Sequence, residues 1–392
     1  MKRWSAVLAL ALAGMMLFTA CGKKDKEEEE VTVEEPAQAM QPAMVVQDSP
    51  AAPVQQEAAA PAVESDTPPD GMVANQLSGE WIDASLENQR PVAVMVDNEK
   101  GVKHYGLTQA DVIYEMMNST QNDGVTRFMA LVKDWGALQQ FGSIRSTRPT
   151  NLRIFPEWNA VLCHDGGPFW NDNFYKNKYV ERFSGTFSRV NNGMSREFTE
   201  YILSPENQAS IATEKGKTIE QNFEATGYSK TYNDYYRGDH WVFATRSNPN
   251  TLDQYSSAIS CTKLSLPFHH NNPWMEYDSA SGEYKYFQYG SAEKDLGNGE
   301  QVSFKNVLLE RARMEQLDDH GYMMYYPCDS ENKERLGWYI TNGKAVKVTW
   351  SKMDDLTPTK FYDEDGVEIK INVGTTYIGL IRNEEWDNVS IE

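Results

Sequence analysis

Basic side chains are scarce in this chain. Its 37 Lys and Arg stand against 57 Asp and Glu, giving a formal charge of −20 at pH 7. A direct nucleic-acid ligand needs clustered cations on the protein. Broad adhesion to anionic lipid or wall polymer needs the same. The charge balance excludes both as general modes and leaves room for a local basic pocket. Cysteine is also scarce, at four residues. Setting Cys21 aside leaves Cys163, Cys261 and Cys328, an odd number that cannot form a closed disulfide set. A Cys261–Cys328 bridge and three unpaired, mostly buried thiols both satisfy this count. No CxxC pair exists, so a zinc site of thiolates is unsupported. There is no Gly-x-Ser-x-Gly elbow and no internal repeat. Neither a metal nor another cofactor is expected.

The first 20 residues have their own pattern. Lys2 and Arg3 precede an apolar run from Ala6 to Phe18, then the small residues Thr19 and Ala20. This describes a secretory signal peptide. The run is too short for a stable membrane span. Cys21 follows the small pair and Gly22 comes next, which resembles the lipobox of bacterial lipoproteins, with Phe18 where Leu is usual. That resemblance implies a diacylglyceryl group on Cys21, which becomes the first residue of the mature chain. The body is then held at the extracytoplasmic membrane face by lipid, without crossing. Residues 21–85 read as the lipidated Cys and a disordered tether. It opens with mixed charge, including Glu27–Glu30, and turns rich in Ala, Pro, Gln and Val. Seven of the 17 prolines fall between Pro36 and Pro69. So little bulky apolar surface cannot offset the entropy of ordering. About 60 flexible residues span roughly 40–45 Å.

The remainder has enough apolar residues, 40%, for real cores. The fold class expected is α+β: a mixed α/β domain over 86–235, a connecting segment over 236–260, and a mostly antiparallel β domain over 261–388. In the first domain, 91–96, 112–117, 125–132 and 160–163 read as short strands. Thr108–Asp111 reads as a capped helical turn. Ser204-Pro205 starts a helix, with Gly216 as its C-cap. In the second, short apolar segments alternate with turns, and Asn342-Gly343 is the strongest hairpin signal in the chain. The aromatic stretch Tyr228, Tyr232, Tyr235, Tyr236 and Trp241 fits packing between domains better than sugar stacking.

Several segments together resemble the YerB-like lipoproteins, a bacterial family defined by a domain of unknown function and its own C-terminal domain. In the first domain these are Arg90–Asn98, Gly106–Glu115, Thr126–Phe128, Gly142–Arg148 and His164–Gly167. In the second they are Tyr284–Tyr286, Asn306-Val307, Asn342-Gly343 with Trp350, and Gly374–Ile378. The resemblance implies a lipid-anchored, extracytoplasmic, two-domain protein, most familiar from Gram-positive bacteria, with no established activity. The chain departs from the family pattern at Asp97, where Asn is usual, and at Cys163-His164, where His-His is usual. It also lacks a family His near Glu293–Asp295.

The candidate site residues lie at or within the first-domain strands. Asp97 and Asn98 end the first strand, Glu115 lies in the second and Arg127 in the third. Arg145, Ser146 and Arg148 follow a Gly and an Ile, and His164 ends the Ala160 strand. Strand ends are where open α/β sheets gather ligands. Glu115 and Arg127 are equidistant from Gln121, so a hairpin centred there places them opposite each other as an ion pair. Convergent Arg145 and Arg148 suit a carboxylate or phosphate, because the planar fork makes two parallel bonds. Arginines pinning a loop to local carboxylates and carbonyls fit the pattern equally well. His164 is the proton-transfer candidate. His269-His270 alternates on a strand and does not suit a shared metal. The reading is a non-enzymatic binding or scaffolding protein of the cell envelope with a polar or anionic ligand in this cleft, or a protein partner on the β-rich domain. The alternative is an envelope hydrolase or transferase acting on wall material with His164 as acid or base. The partners expected are the membrane through Cys21 and a wall ligand or envelope protein.

Overall fold

A computed structural model describes residues 65–327 and 335–392. The predicted signal peptide, Cys21, most of the tether and Cys328 lie outside the described residues. Eleven strands form the largest sheet. In chain order they are β1 Val92–Asp97, β2 Val112–Met117, β3 Thr126–Val132, β4 Val161–His164, β5 Arg182–Ser184, β6 Ile259–Ser260, β7 Asn306–Ala312, β8 Leu336–Thr341, β9 Lys344–Ser351, β10 Lys360–Tyr362 and β11 Thr376–Arg382. Across the sheet they run β6-β9-β8-β7-β11-β2-β3-β1-β4-β5, with β10 on the outer part of β9. Strands β2 and β11 pair in parallel, Val112 beside Thr376 through Met116 beside Leu380. The sequence boundary near residue 261 is therefore not a boundary between sheets, because the first and second domains share this one.

Every residue of β1, β2 and β3 is buried. A sheet covered on both faces selects unbroken apolar strands rather than alternating ones. On one face, Val92, Val94 and Val96 pack toward Tyr284, Tyr286 and Phe304, and toward Ile219 and Phe223. On the other, Ala93 and Met95 pack toward Leu152, Phe155, Trp158, Trp241 and Leu252. Burying one such aliphatic side chain contributes about 1.5–3 kcal/mol. The first face is covered by a second, six-stranded antiparallel sheet built around Trp274–Asp278 and Glu283–Gln288. A four-stranded antiparallel sheet contains Gln140–Gly142, Ser188–Val190 and Glu200–Leu203.

The molecule is mostly β, and the expected mixed α/β character of residues 86–235 is corrected. The α-helices there are short, at Pro149–Leu152, Pro205–Ile211 and Ile219–Thr226. The Ser204 side chain caps the second, accepting from Asn207 N at 3.2 Å with Pro at the first turn. Gly216 is not its C-cap. The helix ends at Ile211, and Gly216 lies where an added Cβ would meet the Phe187 backbone at 2.3 Å. The Asn342-Gly343 turn joins β8 and β9 with both residues at positive φ, 49° and 72°, as the tight hairpin requires. The tether ends earlier than residue 85. Met72–Ala74 pairs with Trp81–Asp83, Leu77 is buried, and the Asn75 and Ser78 side chains donate to Asp111. A buried Leu77, the two side chains held by Asp111 and the Gly374 N–Ser78 O bond dock a segment whose composition looks disordered.

Candidate functional site

Glu115 is completely buried, and its partner is not Arg127. The β2–β3 register sets Glu115 opposite Phe128 and Met116 opposite Arg127. A one-residue shift in pairing sends a side chain to the other face, so the expected ion pair is corrected. Glu115 instead accepts five hydrogen bonds. Asn98, Thr126 and Asn271 donate to Oε1, at 3.2, 2.8 and 2.7 Å. Tyr286 and Tyr377 donate to Oε2, at 2.8 and 2.7 Å. Burial pushes its carboxyl above the usual range against these donors. From Asn271 the network runs through Gln288 and Glu293 to His104. The two nitrogens of His104 meet a Glu293 carboxylate oxygen at 2.8 Å and the Asp97 carbonyl at 2.6 Å. Both partners only accept, so His104 is held as imidazolium. Burial pulls its pKa down, but Glu293 and Asp97 raise it overall.

Arg127, Arg145 and Arg148 line one open hollow of about 400 Å³, together with Glu99, Asn118, Ser119 and Tyr322. The segment after Gly142 runs beside the end of β1, with Val96 bridged to Ile144 and Arg145 N bonded to Met95 O. Gly142 sits at φ 135°, where an added Cβ would meet Ile144 N at 2.9 Å. This close approach brings Arg145 to Asp97, with Nε 3.0 Å from Oδ2. Glu99 at 3.7 Å and Glu197 at 2.7 Å complete a ring of three carboxylates around Arg145. Arg127 and Arg148 lack such compensation. Arg127 is buried and donates to Ser146 O at 2.6 Å and weakly to Asn118 Oδ1 at 3.4 Å. Arg148 donates to Thr147 O at 3.0 Å and lies over the Tyr322 ring at 4.6 Å. The Nε atoms of both are buried and unpartnered. Among the described residues neither forms an ion pair. Burial first, and then Arg148, depress Arg127 to about 9, still cationic at neutral pH. Burial lowers Arg148 as well.

The rim comes from residues that sequence reasoning did not single out. The Asp318–Tyr322 turn is fastened to the β2–β3 loop. Thr120 N donates to Gly321 O at 3.0 Å, Ser119 Oγ to His320 O at 2.7 Å and Gln121 Nε2 to Asp319 O at 3.1 Å. Gly321, at φ 76°, permits this, since a Cβ there would meet Thr120 Oγ1 at 2.3 Å. The signal available in sequence was the turn chemistry of 318–321, but nothing local says which loop it meets.

Of the predicted residues, Arg127, Arg145 and Arg148 converge on the hollow. Asp97 stands behind Arg145, and Ser146 supplies a backbone carbonyl. Asn98 and Glu115 belong to the buried network. His164 is not among the lining residues. Its Nδ1 meets Gly166 O at 2.8 Å, its ring stacks near Tyr175, and burial lowers its pKa to about 4. His269 and His270 diverge, to Glu385 and to Asn122 O. No group of three metal-ligating side chains occurs among the described residues.

A solved structure with the same fold is the crystal structure of the YerB protein from Bacillus subtilis. It matches with a TM-score of 0.65 and 18% identity over 82% of this chain and 99% of that one. No curated protein matches. Residues 77–229 match the model described as protein of unknown function (DUF3048) N-terminal domain, and residues 264–378 match its C-terminal domain. With both domains present in order, the chain belongs to the DUF3048 family.

Proposed function

We propose that this is a non-enzymatic binding protein that takes an anionic ligand in the arginine-lined hollow. The observation that carries the reading is the pair of guanidiniums, buried Arg127 and half-buried Arg148, facing a hollow with unpartnered Nε atoms and no ion-pair partner. A buried cation is costly unless paired, and a bound anion would supply the missing partner. A wall-precursor phosphate or a peptide carboxylate has the required chemistry. The hydrolase alternative has weaker support, because His164 does not line the hollow and is neutral at pH 7. Calorimetric titration of the purified full chain with pyrophosphate should show binding that Arg148→Gln weakens at least tenfold, with the thermal midpoint of the unliganded protein nearly unchanged. Equal binding by the variant would overturn the assignment.

The sequence also supports a location. Lys2 and Arg3, the apolar run and Cys21 suit lipid anchoring on the extracytoplasmic membrane face. In cells fed an alkyne fatty acid, the wild type should become labelled and Cys21→Ala should not. Label retained by the variant would contradict the anchor.

A further inference from the structure

Resting on the anion-binding reading, we infer that the ligand's charged group is a phosphate dianion, a monoester or terminal diphosphate, rather than a carboxylate or phosphodiester. The three arginines differ in what they lack. Arg145 already faces Asp97, Glu99 and Glu197. Arg127 and Arg148 form no ion pair among the described residues. Asp97 acts on both and Glu99 on Arg127 only from further away, so both guanidiniums have room for a direct anionic partner. After burial, Arg148 lowers the pKa of Arg127 and Arg145 lowers that of Arg148, as close like charges do.

A carboxylate brings one negative charge and a planar fork that matches one guanidinium at a time. A phosphate monoester brings about −1.5 to −2 charges at pH 7 and three acceptor oxygens. It can accept from both guanidiniums at once and neutralise both. A diester keeps the tetrahedral shape but carries a single charge. The carboxylates of Glu99 and Asp319 also line the hollow. They penalise any anion that does not reach the arginines.

The rim is aromatic. Tyr322 lies beneath Arg148, and the His320 ring lies nearly parallel to Tyr322 at 5.7 Å. Outside the lining residues, Trp170 donates to Asp318 at 2.7 Å and lies tilted against Phe169, which is 68% exposed. Such a rim suits an apolar or ring-shaped body attached to the phosphate, which a lipid or a soluble ester could supply.

The test is calorimetric titration of the full chain, in detergent at neutral pH, with methyl phosphate, dimethyl phosphate and acetate. Methyl phosphate should bind at least tenfold more tightly than the other two, the effect of roughly one charge-assisted hydrogen bond. Arg148→Gln should abolish that preference. If this variant does not fold, the wild-type comparison of the two esters still decides. Equal affinities for the three probes would overturn the dianion inference and leave the anion site standing. No binding of any probe, with pyrophosphate equally inert, would overturn both. Glycerol 3-phosphate and dihexanoyl phosphatidic acid, the latter below its micelle threshold, share a headgroup and identify the source. Tighter binding of the lipid supports a lipid monoester, and equal binding supports a soluble one. Failure of both to bind would overturn the inference.

Discussion

Replacing Lys352 with methionine is expected to destabilise the protein by about 3–5 kcal/mol, because it strands a buried carboxylate. Lys352 and Glu157 are each 1% exposed and meet at 2.5 Å across the two halves of the chain. Glu157 also accepts from Thr359 N and Oγ1 at 2.9 and 2.8 Å and from Tyr114 at 3.1 Å. Burial alone would raise its pKa, but Lys352 and His240 outweigh this and hold it at about 2. A depressed carboxyl stabilises the fold above its unfolded value of 4.5, and this contribution is lost as pH falls toward 2. The deficit of Lys352→Met measured by denaturant titration should therefore shrink in acid. The double variant Glu157→Gln/Lys352→Met should recover part of the loss at neutral pH. A loss under 1 kcal/mol for the single variant would mean that water reaches the pair.

The second large effect is at Glu115. Glu115→Leu removes the acceptor of five hydrogen bonds. Asn98 and Asn271 keep Thr126 and Gln288 as acceptors. The Thr126, Tyr286 and Tyr377 hydroxyls lose theirs, each costing about 1–3 kcal/mol when buried and unpaired, though not additively. A loss above about 4 kcal/mol is expected. Glu115→Gln should lose less, because its carbonyl can still accept from the two tyrosines and the Thr126 hydroxyl can turn to accept. Asn98 and Thr126 come from the first segment, and Asn271, Tyr286 and Tyr377 from the second. The two segments also share the β2–β11 pairing. Calorimetry should therefore show one transition moving down as a whole. Two transitions, with only one displaced, would contradict a shared core.

Much of the strand pattern was legible because local composition decides it. Val112–Met117 has too many apolar residues in too short a span to be anything but a buried strand, and Asn342-Gly343 admits both positive φ values. Pairing between distant segments was not legible. Nothing in residues 112–117 says that 376–382 lies alongside, since parallel partners are chosen by the whole topology. The Glu115–Arg127 expectation failed by one residue of register, which the even-numbered loop between β2 and β3 fixes and composition does not. The arginines were visible as a cluster spaced along strand ends. Their rim was not, because Asp318–Tyr322 reaches them from about 190 residues further on.

The most direct measurement is a crystal structure of the chain grown with methyl phosphate. The account requires a tetrahedral anion within hydrogen-bonding distance of both Arg127 and Arg148. A hollow left empty at saturating concentration, with either guanidinium turned onto a carboxylate of the protein, would contradict it.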